Sequence, residues 1–434
     1  MYKKANEKVY SNKDFESGKC RTVDLFLLFI IIGDLLAAIT FFYTDGKSFN
    51  SLIWNGDTYG IFPDFFETLM NAEHLKPYSD GAIYPAFVYV VLYPLSRLLN
   101  VNIHEIGFTS ASITQRGSII GFYFFFLFTA LYLIILFKIA EFNLCEKIGV
   151  FVALFMSPGY IFLIDRGNIV ILTAVLIGGF LCLYIDFNDN KKKPIQGILS
   201  LLLLCSAVCM KLYPILFGLF LLRRKDWKGI LKSIVLFAVL FLIPFLAIKD
   251  EHPIMCMLDN LLSLNGGNTQ DTRGFGYGYM VSITTIAKAI TNWLGLATPS
   301  YLYTVIDILI LASVCYVTFM SNKTWKQLFA ITVSMIVLPG FSWLYNCIYL
   351  FIPLMYFFKE EHFINKNNVV YLILFILCTI CVPYGYVMKS LPGANKMSIG
   401  TLMEFSAMIL MILILVIETT IINYKASSHI KYYS

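Results

Sequence analysis

Apolar stretches long enough to cross a lipid bilayer recur along the whole of this chain, the first of them at residues 22–43. A hydrocarbon core about 30 Å thick takes about 20 apolar residues of helix. Inside it every backbone N–H and C=O must be paired within the segment, which leaves the helix as the default for single runs of this kind. Composition agrees: 58% of residues are hydrophobic and 14% are charged, whereas soluble domains sit near half and about a quarter. The chain therefore reads as an all-α polytopic membrane protein. The first run follows Lys3, Lys4, Lys8, Lys13, Lys19 and Arg21. It is too long for a signal-peptide core and shows no small-residue cleavage site, so it is expected to remain as a first helix. The ten cysteines are scattered, mostly inside apolar runs, as Cys205, Cys209, Cys378 and Cys381 are. They read as small buried hydrophobes, and neither disulfides nor a zinc site is indicated. The net charge of +6 belongs to loops and does not indicate nucleic acid.

Basic residues in short loops mark the cytoplasmic side. The clusters are the N-terminus, KKK at 191–193, RRKDWK at 223–228, NKTWK at 322–326, KEEHFINK at 359–366 and, more weakly, KASSHIK at 425–431. With both termini inside, helices are predicted near 22–43, 117–138, 148–164, 168–186, 229–248, 301–320, 327–338, 344–358, 368–388 and 400–424. Segment 84–99, short and carrying two prolines, is expected to be juxtamembrane or re-entrant, and 277–297 is amphipathic and expected at the outer interface. The result is one transmembrane domain, 1–434, of about twelve helices. Its parts are a cytoplasmic tail 1–21, a first outer loop 44–116 with juxtamembrane helices, a second large outer loop 249–300 and a cytoplasmic tail 425–434.

Residues 209–217, CMKLYPILF, interrupt an apolar run with a lysine and a proline. A single span there would leave Lys211 near mid-bilayer at a cost of several kcal/mol. A hairpin of short helices, 196–210 and 212–222, keeps both flanking basic clusters inside and puts its turn at Lys211-Leu212-Tyr213-Pro214. Such a turn is tolerable below the surface only where it lines a protein-walled polar cavity.

This topology gathers polar segments on the outer side: the loop 44–83, the turn Asp165-Arg166-Gly167-Asn168, the 211–214 turn, a Gly-rich loop 265–279 with Arg273, and Phe341-Ser342-Trp343-Leu344-Tyr345-Asn346. The first loop is acidic, with Asp45, Asp57, Asp64, Glu67, Glu73 and Asp80 against Lys47 and Lys76. Asp64 and Glu67 lie three apart in the aromatic-rich stretch 62–78. Partial burial among aromatics makes a carboxylate more basic, which suits a general base. Facing it, Arg166, Lys211 and Arg273 are cations fit to hold a phosphate. A solvated acidic loop, a snorkelling Lys211 and an Arg166–Asp165 ion pair are the plainer readings of the same residues. One base and two or three cations describe sugar transfer from a lipid-linked phosphate, a leaving group that needs cations and no second acid. No cofactor is indicated. No metal-ligand spacing surrounds Asp57 and Asp64, and a divalent ion shared by the two stays open.

In order along residues 54–358 stand Asp64-Phe65, Pro77-Tyr78, Tyr84-Pro85-Ala86-Phe87, Ser157-Pro158 with Arg166-Gly167-Asn168, Lys211-Leu212-Tyr213-Pro214 with Arg223-Arg224, and Pro339-Gly340-Phe341-Ser342-Trp343. This order resembles the GT-C superfamily of membrane glycosyltransferases, specifically glycosyltransferase family 87, which includes polyprenol-phosphate-mannose-dependent α-1,2-mannosyltransferases. The resemblance implies a GT-C fold and a polyprenyl-phosphate sugar donor, mannose by default. It implies an acceptor hydroxyl on a lipid or glycan, and an active site on the extracytoplasmic face of the plasma membrane. By the same analogy Asp64 is the catalytic base, and Lys211, Arg166 and Arg273 bind the donor phosphate. Glu67, Tyr84, Asn168, Tyr213, Trp343, Tyr345 and Asn346 are expected to contact sugar or acceptor. The chain departs from the family pattern at Ala86 and at Tyr345-Asn346, where relatives often carry proline and histidines. Two rivals remain at this stage, a transporter or flippase of lipid-linked sugar and a polysaccharide polymerase. The first tends to show internal repeats, which are not visible here. The second needs more basic outer loops than this chain has.

Overall fold

The computed structural model describes residues 20–53, 60–190, 194–265, 277–296, 300–383, 386–387 and 397–431. The helices, in order, are α1 (Thr22–Tyr43), α2 (Pro63–Glu73), α3 (Ala86–Leu98), α4 (Ile103–Ile106), α5 (Phe108–Ile113), α6 (Gln115–Ala140), α7 (Leu144–Met156), α8 (Pro158–Arg166), α9 (Val170–Asn190) and α10 (Pro194–Met210). There follow α11 (Gly218–Arg223), α12 (Trp227–Leu242), α13 (Pro253–Asn265), α14 (Ile283–Trp293), α15 (Ser300–Met320), α16 (Thr324–Val337), α17 (Phe351–Glu360), α18 (Val369–Thr379) and α19 (Ile399–Lys431). The described strands are two residues each, Tyr386–Val387 pairing antiparallel with Met397–Ser398. The protein is an all-α polytopic membrane protein.

Five described helices are long and apolar enough to cross a bilayer: α1, α6, α12 with its 3-10 continuation, α15 and α19. The run expected as one helix over 148–164 is instead broken. α7 and α8 meet at a 58° bend and make a sixth span if taken together. The break has a local cause. Pro158 cannot continue a helix, and Ser157 restarts one by accepting a hydrogen bond from Tyr160 N–H at 3.3 Å. The other apolar helices, α3, α9, α10, residues 213–223, α16 and α18, are shorter, and the expected total of about twelve counted several of them as spans. The amphipathic segment 277–297 contains α14.

The interior is built around α16, in which every residue from Trp325 to Val337 is buried. Residues 344–358, a 3-10 turn running into α17, are likewise buried. Gly159 lets α8 lie directly on that turn, since a Cβ there would sit 3.2 Å from Cys347 Cβ and Ile348 N.

Charged groups collect at the end of the bundle where α1 begins. Arg21 pairs with Glu146, Lys323 pairs with Glu361, and Thr22 Oγ1 donates to the Glu361 carbonyl at 2.5 Å. Lys326 Nζ reaches Glu418 at 2.6 Å. The basic segments 322–326 and 359–366 are therefore brought to one end, together with Arg21. The 194–223 segment does double back: Lys211 lies beside Asn168 at the start of α9, whereas Asp226 accepts from Tyr184, well along α9, at 3.0 Å.

One glycine decides how the first loop meets the bundle. α8 ends on Gly167 in the left-handed region (φ 64°), where its N–H bonds back to Leu163 O at 2.8 Å. Phe62, also left-handed (φ 54°), caps the start of α2 and packs so close that a Cβ on Gly167 would lie 2.5 Å from Phe62 Cα. That contact sets Asp64 against Arg166. Gly167→Ala is expected to cost at least about 1–2 kcal/mol from backbone conformation alone, with more from the clash. It should appear as a lowered thermal midpoint. An unchanged midpoint would show that the loop and the turn need not touch.

Candidate active site

Four side chains from three segments form one connected chain of polar contacts. Arg166, the last residue of α8, makes an ion pair with one carboxylate oxygen of Asp64, in the first turn of α2. Asn168, between α8 and α9, donates from Nδ2 to the other Asp64 oxygen at 2.8 Å. Asn168 Oδ1 accepts from Lys211 Nζ at 2.9 Å and from Val170 N–H at 3.1 Å. These partners settle the orientation of the amide, because a carboxylate only accepts and an ammonium only donates.

Exposure falls along this chain. Asp64 and Arg166 side chains are 17% and 16% exposed, while Lys211 is 6% exposed. The ammonium sits over three aromatic rings, 4.9 Å from the centroid of Tyr345, 5.4 Å from Tyr84 and 5.8 Å from Tyr213. A cation within about 6 Å of a ring face is attracted by the ring quadrupole. Lys211 was expected to line an open cavity floor and is instead covered by tyrosines. Arg166 is paired with Asp64, a contact that the neighbour-based reading with Asp165 did not anticipate.

The other expected residues fall close by. Tyr84 OH lies 3.5 Å from Asn168 Nδ2. Burial, and after it the Asp64 carboxylate, pushes the Tyr84 hydroxyl well above its ordinary pKa, so it remains a neutral donor. Tyr213 OH donates to Asn346 Oδ1 at 2.9 Å, and Asn346 Nδ2 donates to Ser342 Oγ at 2.9 Å. Trp343 and Tyr345 both lie nearly parallel to the Phe162 ring at 5.9 Å, with Tyr279 on that ring at 4.9 Å. Trp343 is thus part of the packed wall, its backbone bridged to Met280. Glu67 is one turn along α2 and exposed, while both Asp64 oxygens are taken by Arg166 and Asn168. Arg273 and Asp57 lie outside the described residues.

Tyr349, Phe162 and Tyr279 were not singled out from the sequence. Tyr349 OH stands 3.4 Å from Tyr213 OH, and Tyr279 OH ties the wall to the first loop through Asn50 O and Ile53 O, both at 2.8 Å. Single aromatic residues in an aromatic-rich chain carry no local signal for such roles.

Residues 82–344 match the sequence profile of Glycosyltransferase family 87. The chain belongs to this family. Comparison with curated proteins and with solved structures finds no match. As a family 87 member with apolar spanning helices, it is a membrane glycosyltransferase. The matched span includes Tyr84, Arg166, Asn168, Lys211, Tyr213 and Trp343. Asp64 and Glu67 precede it, and Tyr345 and Asn346 follow it. In this family 87 chain the polar cluster thus joins matched residues to a carboxylate from a flanking loop.

The hub is testable without knowledge of substrate. Asn168→Leu leaves the buried Lys211 ammonium without its oxygen partner. Loss of a hydrogen bond to a charged group costs about 1.5–3 kcal/mol. Combining it with Lys211→Met should restore much of the thermal midpoint, because the orphaned charge goes too. Strictly additive losses in the double variant would show that the two side chains are not coupled.

Proposed function

We propose that this glycosyltransferase takes a sugar from a polyprenyl-phosphate donor and transfers it to an acceptor hydroxyl of a lipid or glycan at the extracytoplasmic face of the plasma membrane. The observation that carries this reading is an apolar cavity of about 550 Å³ whose lining includes Met210, next in sequence to Lys211. It runs between α3, α6, α9 and α10 and is lined by Phe87, Tyr123, Phe128, Leu172, Leu176 and Met210, among others. Tyr123, at 64% exposed, marks its outer mouth on α6. Met210, the neighbour of Lys211, and Phe87, three residues after Tyr84, mark its inner end. A molecule with an isoprenoid chain and a charged headgroup fits such a passage, whose polar lining is confined to Ser206 and the hydroxyl of Tyr123. Sidedness follows the charge distribution: the basic segments around Arg21, Lys323 and Lys326 lie at the end of α1 away from Asp64, and basic ends face the cytoplasm. Both termini are accordingly cytoplasmic, and 1–434 acts as one GT-C-type transmembrane domain.

In the proposed reaction the acceptor oxygen attacks the anomeric carbon as the bond from that carbon to the phosphate oxygen breaks. Asp64 takes the hydroxyl proton, polyprenyl phosphate departs with the bonding pair, and a single displacement inverts the anomeric centre. Arg166, at the rim, meets the phosphate through its guanidinium. Lys211 supplies positive charge from below through Asn168. Tyr84, Tyr345 and Asn168 are the candidate headgroup contacts, with Tyr213, Asn346 and Trp343 shaping the wall around them. Exposed Glu67 is proposed as an acceptor contact. Arg273 is proposed as a further phosphate contact, and mannose is the default sugar.

The test is release of polyprenyl phosphate from a panel of radiolabelled polyprenyl-phosphate sugars by purified protein in nanodiscs. Asp64→Asn is expected to lower release by about 10²–10⁴-fold, the usual weight of a general base. Equal rates in the variant would remove Asp64 from that role, and saturable donor binding without release would favour a transporter. A second measurement addresses the cavity. Leu176→Trp should raise KM for long-chain donors while sparing analogues of one or two isoprene units. A uniform effect on both would place the tail elsewhere.

A further inference from the structure

α2 carries Asp64 at one end and Glu73 at the other, about 14 Å apart at 1.5 Å per residue. His74 caps its C-terminus, and His104 stands opposite on α4. One ligand atom from each of Glu73, His74 and His104 lies within 4.8 Å of the others. The two imidazoles stack with centroids 4.6 Å apart and planes 27° apart. Glu73 is buried, and its Oε2 accepts from Ile103 N–H at 2.8 Å, which leaves Oε1 for another partner. His104 Nε2 lies 3.0 Å from the Met70 carbonyl. A carbonyl only accepts, so Nε2 carries the proton and Nδ1 keeps its lone pair. Donation of one ring N–H to a backbone carbonyl is the usual support for an imidazole that ligates a metal through its other nitrogen.

We propose that Glu73, His74 and His104 form a zinc-type divalent metal site that clamps α4 to the end of α2. Two imidazoles and one carboxylate suit zinc among divalent ions, with water completing a tetrahedron. Metal bonds of about 2.0–2.2 Å place neighbouring donors nearer than 4.8 Å. Both histidines are exposed, so their rings turn inward without unpacking the core, while buried Glu73 stays fixed. The ion joins segments 30 positions apart, and it holds the helix that presents Asp64 without touching that carboxylate. Without an ion, the same residues would form only a stacked imidazole pair above a carboxylate that caps Ile103.

The full chain, purified without a polyhistidine tag, reconstituted in nanodiscs and stripped with chelator, would be titrated with Zn²⁺ alone. Bound zinc and the thermal midpoint are the readouts, and neither requires glycosyl transfer. One zinc per chain and a raised midpoint are expected. His104→Ala and His74→Ala should each weaken binding at least tenfold. Glu73→Gln keeps an oxygen for Ile103 N–H, so it preserves the local fold and should also lose affinity at least tenfold. No uptake by the wild type, or equal uptake by the double variant His74→Ala/His104→Ala, overturns the proposal.

Discussion

A lysine ammonium with 6% of its surface exposed, inside a bundle meant for lipid, needs a partner wherever the chain can supply one. Asn168 Oδ1 is that partner at 2.9 Å, with three tyrosine rings around the charge. The rest of the cluster follows from this contact. With its oxygen committed to Lys211 and to Val170 N–H, Asn168 has only its NH₂ to offer on the other side. That group points at Asp64, whose second oxygen then takes Arg166. The cation under the site thus orients the carboxylate at its mouth by way of one amide, and no member can be removed without leaving a neighbour short of a partner.

The same constraint accounts for the interrupted helices. A helix broken at membrane depth exposes backbone groups that lipid cannot satisfy, so each break must fall where other protein groups receive them. The breaks after Arg166, Met210 and Val337 border the polar cluster or its aromatic wall, and the break after Met156 lies at the other end of α8. Three of the four are repaired locally. Ser157 Oγ takes Tyr160 N–H, Asn168 Oδ1 takes Val170 N–H, and the Ser342 carbonyl takes Val281 N–H at 2.8 Å. Short apolar helices such as α8, α10 and α16 are the consequence, because a chain that turns inside the membrane cannot also run its full thickness.

Much of this was legible in the sequence because hydrophobicity and proline act locally. Helix α1 at Thr22–Tyr43, the doubling back at Lys211–Pro214 and the segment at 84–99 could all be read from run length and breakers. The gathering of Asp64, Arg166, Asn168 and Lys211 was legible from loop sidedness. Their pairing was not, since Arg166 meets Asp64 only because Gly167, lacking a Cβ, lets Phe62 pack where a Cβ would lie 2.5 Å from Phe62 Cα. The bend between α7 and α8 was missed because Ser-Pro sits inside an unbroken apolar run, where composition outweighs one proline. The stack of Phe162 on Tyr279, Trp343 and Tyr345 has no periodicity to betray it, as its members come from three distant segments.

The gradient of exposure across the cluster bears on how two substrates of opposite character reach one carboxylate. In the proposed reaction the donor tail occupies an apolar cavity whose lining includes Met210 and Phe87, close in sequence to Lys211 and Tyr84. The acceptor hydroxyl comes from the more exposed side, where Asp64 and Arg166 keep 17% and 16% of their surface. Asp64 already receives a guanidinium and an amide, yet each carboxylate oxygen has two lone-pair sites. A hydroxyl can therefore bind without displacing either partner. Positive charge lies both at the rim and beneath the floor, so a phosphate arriving between them meets cations from two sides. In the proposed reaction a second, protonated acid is then unnecessary, because a phosphate leaving group departs already charged and between two cations.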